Sequence, residues 1–206
     1  TVFSVGIALG SMLCERMSGH KVEIGLVPFG SIGLTLFGIL LWWFSGGFPE
    51  AAVAHDWLAV LSIGQAWWIL GSILGIGLFG GFYIVPLYAL IQSRTVEHER
   101  ARVIAANNIL NALFMVISAI VSILFLSVAE LSIPQLFLTI SLMNIAVNSY
   151  IFKIVPEFTM RFMIWLLSHS MYRVEHKGLE AIPDEGAAVL VCNHVSFVDA
   201  LLMGGA

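Results

Sequence analysis

Hydrophobic residues run through this chain in long blocks separated by short polar loops, rather than alternating with polar ones. A block of about 20 apolar residues at helical rise matches the hydrocarbon thickness of a bilayer, so the pattern predicts membrane-spanning helices. Val2–Cys14 is apolar but short for a crossing and reads as the tail of a longer helix. Its Gly6 and Gly10 have the spacing that lets two helix backbones approach closely. After the polar loop Glu15–Lys21, a second span is expected over about Val22–Ser45, with Trp42 and Trp43 suited to an interfacial belt. Trp57–Gln92 is too long for one crossing and divides into an interfacial approach, Trp57–Ala66, and a third span, Trp67–Gln92. Glycines 71, 75, 77, 80 and 81 and Pro86 predict tight packing and a kink there. A fourth span over Ile109–Ala129 has Asn107, Asn108 and Asn111 at its entrance, and a fifth covers about Leu136–Val155.

Beyond Pro156 the pattern changes. Phe158–Tyr172 is apolar but short and interrupted by Arg161 and His169, which suits an interfacial helix better than a sixth crossing. Arg173–Leu179 fits a first strand, Ile182–Gly186 has the chemistry of a turn, and Ala187–Cys192 reads as a buried parallel strand. The expected organisation is a mainly α membrane domain over residues 1–155, followed over 156–206 by an interfacial helix and the start of a cytosolic α/β domain.

Composition agrees with the pattern. Of 206 residues 59% are hydrophobic and 11% are charged, against about 25% charged in soluble domains. The net charge of −4 says less than where the charges lie. All 9 Lys and Arg residues fall in the first loop (Arg16, Lys21), in the third (Arg94, Arg100, Arg102), or from Lys153 onward. Loops 46–56 and 130–135 have none, so the positive-inside rule places the basic loops and everything after residue 155 in the cytoplasm. Cys14 and Cys192 give no disulfide framework. Thr1 opens within an apolar run with no basic leader, and Met203–Ala206 ends in mid-element. The chain therefore reads as an internal piece of a longer protein, inactive alone.

Candidate chemistry lies just past the Ala187–Cys192 strand, where open α/β sheets place their sites. His194 is followed five residues later by Asp199. Histidine has a pKa suited to removing a proton from an alcohol as it attacks a thioester, and a carboxylate on the other ring nitrogen holds the tautomer. The competing reading makes Ser196 and Asp199 a capping box, with His194 a loop residue. A zinc site is disfavoured, since Cys192 and His194 lack the further ligands zinc needs. Within the spans, Gln92, Asn107, Asn108, Asn111, Asn144 and Asn148 are candidates for a substrate path, with helix–helix hydrogen bonding as the competing role. The charged third loop is either a solvated face or a seat for anionic lipid head groups.

The segment Asn193-His194-Val195-Ser196-Phe197-Val198-Asp199, with Gly178-Leu179-Glu180 and Ile182-Pro183 upstream, resembles the first motif block of glycerolipid acyltransferases of the lysophosphatidic-acid type. That resemblance spans about residues 158–206. It implies His194 as general base, Asp199 as its orienting carboxylate, and Asn193 and Ser196 as supporting residues. Gly80–Gln92 and Arg100–Asn108 resemble the carboxyl half of major-facilitator lysophospholipid transporters fused to such acyltransferases in bacteria, and Gly10–Lys21 is similar to the superfamily's loop motif. The resemblance implies a multi-pass bacterial inner-membrane protein that moves a lysophospholipid and re-acylates it. It implies acyl-CoA or acyl carrier protein as co-substrate, membrane lipids as partners, and no cofactor, metal or nucleic acid. A plain permease with an inert tail, and an acyltransferase with its helices as anchor only, remain open at this point.

Overall fold

In the computed structural model, residues 1–18, 23–48 and 57–170 are described, and these form a helical bundle with no strand among them. The helices are α1 (Val2–Met17), α2 (Leu26–Ser45), α3 (Trp57–Ser62), α4 (Gly64–Arg94), α5 (Arg100–Ser127), α6 (Ile133–Ile154) and α7 (Pro156–Ser170). By length and apolarity α2, α4, α5 and α6 are able to cross a membrane. The expected strands, and with them His194, Asp199, Asn193 and Ser196, lie outside the described residues.

Several boundaries differ from the sequence reading. Ile63 takes an extended conformation that separates α3 from α4, so the long span starts at Gly64 rather than Trp67. It continues to Arg94 as one helix with Pro86 inside it. The fourth span starts at Arg100, because Glu97–Glu99 forms a 3₁₀ turn leading directly into it. Asn107, Asn108 and Asn111 therefore lie in its second to fourth turns and not at its entrance. α6 begins at a capping box: the Ser132 side chain accepts from the Gln135 N–H, and the Ser132 N–H donates to the Gln135 side chain. The pair satisfies two backbone donors that lipid cannot. The preceding turn places Glu130 at φ 52°, and the Leu131 N–H donates 3.0 Å to the Phe125 carbonyl.

α4 is the centre of the bundle. Against α1 it packs in parallel, glycine on glycine: Gly6 meets Gly77 and Gly10 meets Gly81. Against α2 it packs antiparallel by a different device, in which Phe79 fills the space left by Gly33 and Phe37 that left by Gly75. The two rings stack at 5.5 Å. α6 crosses α2 on its other side, with Ser141 against Gly38. Close backbone approach at small residues is how helices gain packing where lipid removes the hydrophobic drive between them.

α7 lies across the basic end of this bundle. Phe158 is 7% exposed, in a cluster with Ile24 and Val27, and Trp165 packs on Phe29 with ring centres 5.8 Å apart. The Arg161 backbone passes close to Gly25, where a Cβ would lie 2.8 Å from the Arg161 carbonyl carbon. Glu157 pairs with Arg94 at 3.4 Å and with Arg161 at 3.3 Å, tying the end of α4 to the start of α7. α7 is thus held against this end of the bundle by side chains from α2, α4 and α6. At the opposite end, Trp42, Trp43, Trp67 and Trp68 gather around the junction of α2 and α4. The Gln65 amide donates there to the Phe44 carbonyl, and Phe44 stacks on Trp68 at 5.3 Å.

Candidate functional site

Two polar clusters interrupt the apolar bundle. The first is buried between α2, α4 and α6. The Tyr83 hydroxyl donates to Asn148 Oδ1 at 3.3 Å, and Asn148 Nδ2 donates to Asn144 Oδ1 at 2.7 Å. Asn144 Nδ2 in turn donates to Thr35 Oγ1 at 2.9 Å and to the Ser31 carbonyl at 3.3 Å. The Thr35 hydroxyl closes the chain on that same carbonyl at 3.1 Å. Asn148 is 4% exposed, so each of these bonds replaces one that water does not supply. The chain runs in one direction and ends on backbone. A cavity of about 320 Å³ lies beside it, lined by Leu34, Gly38, Ile76, Phe137 and Asn144, but the amide of Asn144 is already spent on its partners. This cluster binds helices to one another, so Asn144 and Asn148 take the structural role weighed for them above.

The second cluster lies in the seam between α4 and α5 and differs in kind. Asn107 Nδ2 and Asn111 Nδ2 both donate to the Tyr88 hydroxyl oxygen, at 3.1 Å and 3.0 Å. The two asparagines are four residues apart and so stand one above the other on one face of α5. Beyond this node α5 leaves the bundle and buries none of its 28 residues, exposing Leu110, Phe114 and Met115 among others. Gln92 is one turn along α4 from Tyr88, exposed, and shares no hydrogen bond with the node among the described residues. Asn108 points away from it, exposed on a neighbouring face of α5. Of the four path candidates at this end, the fold joins two, places a third nearby and separates the fourth.

Tyr88 went unnoticed in the sequence because a tyrosine among apolar residues looks like one more large side chain. The spacing Tyr88-x₃-Gln92 opposite Asn107-x₃-Asn111 was the available signal. With both acceptor positions of the Tyr88 oxygen taken by amides, its own hydrogen has no acceptor among the described residues. The seam thus presents a hydroxyl donor and a pair of amides beside an exposed apolar helix. Comparison of the chain with family models, with curated proteins and with solved structures returned no match.

Proposed function

We propose that these residues belong to a bifunctional membrane protein that moves a lysophospholipid and re-esterifies it from an acyl thioester. On this reading residues 1–155 are the carboxyl half of a major-facilitator transporter, and the segment from 156 opens a cytosolic acyltransferase domain. The observation that carries the lipid-handling half is the Tyr88–Asn107–Asn111 node, where hydrogen-bonding groups sit at the foot of an apolar helix that stands clear of the bundle. Such a seam offers polar and apolar surface to one amphipathic molecule. The acyl-transfer half rests on the pattern Asn193-His194-x-Ser196-x-x-Asp199, with His194 as base and Asp199 orienting it. The docked α7 supports the coupling, since it would hold the enzyme at the membrane face where the acceptor emerges and so raise its effective concentration.

The test uses the full-length protein carrying this sequence, purified and given an acyl thioester and a lysophospholipid. His194→Ala abolishes acyl transfer and leaves expression and lipid transport unchanged. Asp199→Asn lowers turnover severely; the equivalent change in a serine-protease triad costs on the order of 10⁴-fold. If Asp199 is only a helix cap, the amide costs about 1 kcal/mol of stability at most and turnover stays near normal. That result would return Asp199 to the status of a helix cap.

A further inference from the structure

The node at Tyr88 is one step in a gradient along the α4–α5 seam. Arg100, Ile104, Asn107 and Asn111 follow at intervals of four, three and four residues, which places them on one stripe of α5. Arg100 is exposed in the first turn, and among the described residues it makes no ion pair. Asn107 follows about 10 Å along the helix and Asn111 about 16 Å along it, at 1.5 Å per residue. Past Asn111 the stripe becomes apolar, with Phe114 and Met115 at 62% and 72% exposure. On the facing helix, Tyr88 lies about 9 Å in from Arg94, where the charged loop begins. The order is cation, then amides and a hydroxyl donor, then bare hydrocarbon.

We propose that this seam binds a single-chain phosphoglycerolipid with its phosphate toward Arg100, its glycerol backbone at Tyr88, Asn107 and Asn111, and its acyl chain along α5. The inference rests on the lipid-handling reading above and adds to it the place and orientation of the lipid. Each part of the seam meets a part of that molecule. A phosphate carries the charge that an unpaired guanidinium matches. The Tyr88 hydrogen needs an acceptor, and a glycerol ester carbonyl or hydroxyl oxygen is one. The remaining amide groups of Asn107 and Asn111 match a free glycerol hydroxyl, which both donates and accepts. That free hydroxyl separates a one-chain lipid from a two-chain lipid. A second acyl chain would replace it with an ester, leaving amide acceptors beside a group with nothing to donate.

The experiment measures equilibrium binding of a one-chain phospholipid to the purified protein in nanodiscs, with photocrosslinking from a benzophenone amino acid at position 115. A two-chain phospholipid and a monoacylglycerol without phosphate serve as competitors. Tyr88→Phe keeps the ring and removes the hydroxyl, and weakens binding about three- to tenfold, the worth of one net hydrogen bond. Arg100→Gln weakens the phospholipid by a similar factor and leaves the monoacylglycerol unchanged. The two-chain lipid competes at least about tenfold less well than the one-chain lipid. Unchanged binding in Tyr88→Phe overturns the proposal. So does equal competition by the two-chain lipid, which marks ordinary bilayer contact, and so does crosslinking at 115 to a second copy of the protein. Transport and acyl transfer are assayed separately in the full-length protein. If the parent protein shows both activities but no such binding, the inference falls and the functional reading stands; if the binding holds without either activity, the reverse applies.

Discussion

Gly6 and Gly77 occupy each other's missing side-chain volume: a Cβ built on either one would lie 3.1 Å from the other's Cα. The close approach continues one turn on, where a Cβ on Gly81 would lie 3.0 Å from the Gly10 Cα and one on Gly10 would run into the Leu78 backbone. α1 and α4 therefore touch through backbone. Neither helix can accept a side chain there without separating, because the atoms in the way are carbonyls and α-carbons and not flexible side chains. Gly77→Val is expected to lower unfolding free energy by at least about 1–3 kcal/mol. Gly71, in the same helix, has open space around it. Gly71→Ala should be neutral or stabilising by up to about 1 kcal/mol. Unfolding of the two variants in bicelles compares them directly, and equal stability would show that α1 does not seat on α4 in this register.

The buried amide chain makes a second prediction. A double-mutant cycle on Tyr83→Phe and Asn148→Ala should return a coupling of about 0.6 kcal/mol, with about 1.7 kcal/mol as the upper range for such bonds in membranes. Zero coupling would place the Tyr83 hydroxyl elsewhere.

A third concerns the docking of α7. Cys14 is 2% exposed and lies in a cluster with Leu26 and Phe82 against which Trp165 packs. In a Cys192→Ser background, Trp165→Ala should speed maleimide labelling of Cys14 by an order of magnitude or more, as the cover is removed. Glu157→Gln should barely change it. The Arg94 and Glu157 side chains are 66% and 41% exposed, and ion pairs so open to solvent contribute about 1 kcal/mol or less. Rapid labelling of the parent protein would show that α7 does not close over this cluster.

Orientation is the fourth. In a cysteine-free background, Ala54→Cys should react with an impermeant reagent added to intact cells, and His98→Cys only after the membrane is opened. The reverse pattern would invert the arrangement and place the proposed catalytic segment on the wrong side for a cytosolic acyl donor.

The helical blocks were legible because lipid imposes one simple requirement, a continuous apolar run long enough to cross. The role of Gly6 and Gly10 was legible too, since their spacing already shows a face without side chains. Their partners were not, because nothing local says that residue 6 meets residue 77. The same holds for Tyr83 and Asn148, whose hydrogen bond joins residues 65 positions apart. The start of α5 was placed too late because Arg100 and Arg102 look like loop residues by hydropathy, although nothing in the stretch 100–108 breaks a helix. That nine-residue error hid the alignment of Asn107 and Asn111 on one face. The strand and the His194–Asp199 pair lie outside the described residues, so the reading of that segment still rests on its motif.

The distribution of charge along the helices bears on how the bundle responds to voltage. Every ionised side chain of α1, α2, α4, α5 and α6 lies within a few residues of the basic end, at Glu15, Arg16, Arg94, Arg100, Arg102 and Lys153. Deeper in these helices the polar residues include Tyr83, Tyr88 and the asparagines, and no Asp, Glu, Lys, Arg or His is among them. A full charge carried across 100 mV exchanges about 2.3 kcal/mol with the field, but a rearrangement of these helices moves no such charge through the hydrocarbon layer. If these helices belong to the proposed transporter, any electrical work of its cycle is carried by the cargo or by another part of the protein. On that reading, with a zwitterionic cargo, any difference in rate between polarised and depolarised vesicles would come from charges outside these helices.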